Sequence, residues 1–183
     1  MSPIVYEFNP VERFVAGTVG IPGERTFFIQ ARTGSRVVSV VVDKSQVIAL
    51  GERTKIMLRE IKKSDPTVSI KALEIDDAPL EQPIFEEFRT GVIAMAWDAE
   101  NTVIVYELRE MTTSEDKEDE EVIFDQKDLS ADLLRVHVSP TQAAAFAKRC
   151  LSLASAGRLP CPFCGIPIDP SGHLCPRSNG YRR

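Results

Sequence analysis

Four residues near the C-terminus carry the clearest chemistry in the chain. Cys161-Pro-Phe-Cys164 sets two thiols on one short loop, and Gly165 lets the backbone turn back with its amides toward the sulfurs. Eight residues separate Cys164 from His173 and one separates His173 from Cys175, with Pro167, Pro170 and Gly172 suited to a tight hairpin between them. Three thiols and an imidazole at this spacing predict one bound zinc ion. So short and proline-rich a segment has little core of its own, so the metal would supply its folding energy. A closed four-ligand shell leaves no open position and makes the site structural rather than catalytic. A thioredoxin-like redox pair is the main competitor. It needs Cys-x-x-Cys at the start of a helix after a strand, whereas this pair follows a helix. Unligated packing of the thiols is a third reading. The fourth ligand stays open between His173 and Cys150. Cys150 shares the apolar face of the last predicted helix with Ala143, Ala147, Leu151 and Ala154, where a buried, inert thiol is expected. Without His173, a water would complete the shell and chemistry would come back into play.

Elsewhere the sequence nominates no catalytic residue. His137, the only other histidine, alternates with Arg135 on the strand face opposite Leu134, Val136 and Val138, which reads as a solvated position. Gly17, Gly20 and Gly23 lack the strand-to-helix setting of a phosphate loop. Asp76-Asp77 and Glu86-Glu87 are sequence neighbours, and adjacent strand residues point to opposite faces, so neither makes an acid–base couple.

The 183 residues, 43% hydrophobic and 27% charged, suit one medium domain with a small appendage. A net charge of −5 argues against a general nucleic-acid or anionic-membrane binder. No apolar run is long enough to span a bilayer, and the N-terminus lacks the pattern of a signal peptide. The expected setting is the cytoplasm, where cysteines bind metal more readily than they form disulfides.

The elements that must position these residues are strands followed by helices. Segments 11–19, 26–32 and 36–42 are rich in β-branched and aromatic residues, with turns at Gly20–Gly23 and around Gly34. Asp43 and Gln46 form a capping box, and Val47, Leu50, Gly51, Thr54, Met57, Leu58 and Ile61 then recur at helical spacing up to Lys62-Lys63. Asp65-Pro66 stops that helix. A proline-rich connection over 64–83 holds at most a short strand near Val68 to Ile75. Strands follow at 88–97 and 102–111, joined by a turn at 98–101. The run Glu115–Glu121 reads as a solvated loop rather than a docking tail. A strand at 133–138 leads to a helix capped by Ser139, Pro140 and Gln142, ending near Ala156-Gly157.

Val42–Leu50 aligns without gaps on Val138–Phe146, Thr26–Ile29 on Thr102–Val105, and Phe14 and Gly17 on Phe88 and Gly91. The predicted fold class is therefore α+β: two β-β-β-α units near 11–63 and 88–157, an internal duplication with an approximate two-fold axis. Residues 1–157 form the core and 158–183 a zinc-knuckle tail. A groove between the units is a natural ligand or partner site.

The Tyr6-Glu-Phe-Asn-Pro10 opening, Val42-Asp-Lys-Ser-Gln46 and the Cys-Pro-Phe-Cys…Gly-His-Leu-Cys-Pro-Arg…Asn-Gly-Tyr tail resemble an uncharacterised actinobacterial family, domain of unknown function three thousand and ninety. The resemblance implies a fold and a cytoplasmic setting, and hints at a pathway or complex shared with a phosphomutase-like and a lipid-kinase-like protein, but identifies no reaction. The leading expectation is a non-enzymatic binding or adaptor module with a protein partner and a structural zinc. One alternative is an enzyme or metabolite sensor linked to the phosphomutase-like partner. Another is nucleic-acid binding through the tail, where four arginines face only Asp169, giving about +3 against about −8 for the rest. Arg177, Tyr181, Arg182 and Arg183 would make those contacts, or contacts to a protein partner.

Overall fold

The computed structural model describes residues 2–21, 23–112, 131–156, 161–166, 168 and 173–177. Its elements are β1 (Val5–Phe8), β2 (Arg13–Val19), β3 (Thr26–Thr33), β4 (Arg36–Val42), α1 (Lys44–Ser64), β5 (Glu86–Asp98), β6 (Val103–Glu110), β7 (Leu133–Val138) and α2 (Pro140–Ser155). After β1 the order is β-β-β-α twice. The strands form a seven-stranded sheet in the order β1-β7-β6-β5-β4-β3-β2. Each triplet is antiparallel within itself, and the triplets meet through the parallel pair β4–β5.

The predicted turns form where the backbone needs them. Gly34 takes φ 58°, a left-handed conformation that costs glycine nothing and closes the β3–β4 hairpin. At the next hairpin the Asp98 carboxylate accepts from the Asn101 amide and side chain. Both helices open on capping boxes. Gln46 accepts the Asp43 N–H at 2.8 Å, and Gln142 accepts from the Ser139 N–H and hydroxyl. The helices then bury matching positions: Val47 and Ala143, Leu50 and Phe146, Gly51 and Ala147, Thr54 and Cys150. They cross where Gly51 has no side chain, since a Cβ there would lie 3.0 Å from Leu151.

The sheet is strongly curled around the helices. Phe14 on β2 and Tyr106 on β6 have ring centroids 5.1 Å apart, although a flat sheet would hold those strands roughly 19 Å apart. Phe146 of α2 stacks on Phe14 at 4.4 Å and meets Tyr106 edge-on, so the three rings fill the concave face. The Tyr106 hydroxyl, fully buried, shares a hydrogen bond with Thr54 of α1 at 2.9 Å. That bond removes the cost of burying two unpaired hydroxyls.

The structure departs from the sequence reading at four points. No strand forms over 68–75; the connection runs as irregular chain, tied to α2 by the Leu73 N–H on the Thr141 carbonyl. β1, which sequence reasoning did not foresee, pairs in parallel with β7. His137 is less solvated than predicted, because β1 places Glu7 3.2 Å from its Nε2 and leaves its side chain 14% exposed. The run 115–121 and the helix end at Gly157 lie outside the described residues. The alignment of 26–29 on 102–105 is one residue out of step: Phe28 packs against Leu80 on the convex side, whereas Ile104 faces the helices.

Candidate metal centre and two helix–strand grooves

Cys161, Cys164, His173 and Cys175 converge, with one ligand atom from each all lying within 4.8 Å of one another. The predicted knuckle is formed: Gly165 takes φ 74°, its N–H donates to the Cys161 carbonyl, and the Cys161 N–H donates to the Ile166 carbonyl. Arg177 ties the two arms by donating to the Phe163 carbonyl at 3.3 Å. The Cys161 and Cys175 sulfurs are 3.8 Å apart, and Cys164 Sγ is 3.2 Å from His173 Nε2. Bonds of about 2.3 Å at tetrahedral angles put two thiolates about 3.8 Å apart, so the donor set fits a four-coordinate ion. Burial pushes the Cys161 thiol up, but the Cys164 and Phe163 amides and the neighbouring thiols outweigh it and bring it down. Cys164 is raised, by burial and by its thiol neighbours. Amides aimed at a sulfur are what a metal-bound thiolate requires.

Cys150 is not part of this cluster. It is wholly buried on α2, and burial pushes its thiol well up, as expected for an inert core position. Tyr181, Arg182 and Arg183 lie outside the described residues.

The groove expected between the units takes the form of a pair, in each of which a helix lies beside the first strand of the other triplet; the sequence reading did not name the residues that line them. In one, Gln142, Ala145, Phe146 and Arg149 of α2 face residues 12–15 around a cavity of ≈ 140 Å³. In the other, Gln46, Ala49, Leu50 and Arg53 of α1 face Gly91, Ile93 and Met95 of β5 around ≈ 170 Å³. These helix residues correspond one to one at the spacing that aligns the two caps. The glutamines do the same work: Gln142 donates to the Val11 and Glu12 carbonyls, and Gln46 to those of Thr90 and Gly91. Continuing the Val42–Leu50 alignment three residues further would have matched Arg53 with Arg149.

The two grooves differ in what covers them. The connection after α1 lies over the α2 groove, where Arg149 donates to the Asp76 and Ala78 carbonyls and to the Asp76 carboxylate. Arg149 is 8% exposed and also bonds the Ala16 carbonyl on the edge strand β2. Arg13 grips the same Asp76 through two nitrogens, and this holds the Asp76 carboxyl below its ordinary value. Leu80 then fits over Gly17, where any Cβ would collide with it. The α1 groove has no such cover among the described residues. Arg53 is exposed and bonds none of them, and the space continues along α1 past Ile56 to Glu60.

The family described as Protein of unknown function (DUF3090) matches residues 6–175, and the chain belongs to it. No curated protein and no solved structure matches the chain. No described helix is long and apolar enough to cross a membrane.

Proposed function

We propose that this protein is a non-enzymatic binding or adaptor module, with a duplicated α+β core (1–157) that presents a partner surface and a tail (158–183) folded around one structural zinc ion. The convergence of three thiols and one imidazole within 4.8 Å carries the reading. Such a set takes up all four tetrahedral positions, and its thiolate-rich character selects zinc over the harder divalent ions. The matched buried positions of α1 and α2, and the shared work of Gln46 and Gln142, support the duplication. In so curled a sheet, stepping from one triplet to the next amounts to a rotation, in keeping with an approximate two-fold axis. Free thiols that need a metal suit a reducing, cytoplasmic setting.

Metal analysis of protein purified without chelator tests the tail and should find about one zinc per chain. Affinity purification of the tagged chain from its own cells should retain a protein partner at a fixed ratio. Metal-free protein, or protein that fails to retain any partner, counts against the respective half of the proposal.

A further inference from the structure

We infer that the α1–β5 groove is a docking site for an extended acidic segment of a partner protein, with Arg53 as its charge anchor. The inference rests on the adaptor reading and gives its partner a chemistry. The argument comes from the sister groove, which already holds such a ligand within the chain. There Leu73-Glu-Ile-Asp-Asp-Ala-Pro79, without regular structure, runs beside β2, and its Asp76 carboxylate and two carbonyls satisfy Arg149. The α1 groove repeats the helix half of that receptor, Gln46 for Gln142 and Arg53 for Arg149, with no counterpart of Arg13 on its strand and without the ligand side.

Two further features fit an extended guest. β4 pairs with β5 only as far as Arg89, so from Gly91 onward that edge of β5 has no strand beside it among the described residues. An open strand edge offers backbone donors and acceptors to an added segment. Ile93 and Met95 are only partly covered, and Ile56 is 51% exposed at the groove's far end. A guest with an acidic side chain opposite Arg53 and aliphatic side chains over Ile93 and Met95 would satisfy both charge and apolar surface. Guanidinium–carboxylate hydrogen bonds are charge-assisted and geometrically specific.

The test is a methyl and amide NMR titration of the full zinc-loaded chain with a nine-residue peptide of this chain's own sequence from Ala72 to Leu80. A second peptide carries asparagine at both aspartates. The acidic peptide should shift the resonances of Gln46, Arg53, Gly91, Ile93 and Met95. Arg53→Glu, an exposed change that leaves the core untouched, should weaken binding about tenfold or more, and so should the neutral peptide. No shifts at millimolar peptide, shifts confined to Gln142 and Arg149, or equal binding of both peptides would each overturn the inference. Sedimentation as a dimer that Arg53→Glu dissociates would also overturn it, by making a second copy the occupant. The zinc content of the same sample stands apart from these outcomes, so failure of the groove and failure of the metal reading are told apart.

Discussion

In the core, Phe14, Tyr106 and Phe146 pack ring against ring, and both helices bury a continuous face. Among the described tail residues, large apolar side chains stand in solvent: Phe163 is 62% exposed and Leu174 is 88% exposed. Among the described tail residues only Cys161 and Cys175 are buried. The core is held by surface taken from water, whereas the described part of the tail gathers its metal-ligating side chains and leaves Phe163 and Leu174 outside. Structural zinc in small peptides binds with about 10–16 kcal/mol, as much as a whole domain's stability of about 5–15 kcal/mol. One ion can therefore hold a segment that burial cannot.

The largest effects should come from cutting that single support. Cys161→Ser, Cys164→Ser and Cys175→Ser should each release the metal and expose residues 160–183 to protease, while the core's cooperative melting persists. Cys150→Ala should keep the metal. His173→Ala sharpens the comparison: loss of zinc confirms the closed shell, and retained zinc with an exchangeable water breaks it and reopens the case for catalysis. Limited proteolysis with metal analysis reads all five variants. Simultaneous collapse of core and tail would show that the two are not separately held.

How much of this the residues disclosed depends on the range of the interactions. The caps at Asp43 and Ser139, the turn at Gly34 and the ligand spacing around Cys161 are local, and local chemistry is legible in a single sequence. β1 was missed because Val5–Phe8 is short and its partner β7 lies more than a hundred residues away. His137 was misjudged for the same reason, since Glu7 comes from that strand. The connection over 66–83 was unreadable because its register is set by Arg13, Arg149 and Gly17 rather than by its own periodicity. The curl that brings β2 to β6 is a property of the whole sheet and has no local signature.

Within the core the helix crossing is sensitive to volume. Gly51→Leu forces a branched side chain into a site where a Cβ alone would lie 3.0 Å from Leu151, and should cost about 1–3 kcal/mol as the helices separate. Chemical denaturation measures it. An unchanged midpoint would show that the crossing is softer than a packed interior.

The strap over the sister groove should respond next. Asp76→Asn removes the carboxylate shared by Arg13 and Arg149, with a loss of about 1–2 kcal/mol, moderated because Asp76 is partly exposed. The Arg13 guanidinium, by hydrogen bonding and then by charge, holds the Asp76 carboxyl below its ordinary value. A depressed folded-state pKa gives stability that is complete above the unfolded value of about 4 and is lost as pH falls through the folded one. Wild type should therefore lose more stability than Asp76→Asn on acidification below about pH 4. Parallel pH profiles would show that the strap does not depend on this charge.

The smallest effect should come from the acidic run. Deleting 115–121 removes six carboxylates and Lys117, with no apolar anchor, from the connection between β6 and β7. The register on either side is fixed independently, by Arg109 opposite Leu133 and by the Glu110 N–H on the Asp132 carbonyl. Shortening a loop changes closure entropy only slowly with length, and removing like charges relieves repulsion. The expected shift is well under about 1 kcal/mol, below that of a typical core substitution. Equilibrium denaturation of the deletion variant measures it, and a loss of cooperative folding would make this run part of the core's structure rather than a loop between two strands.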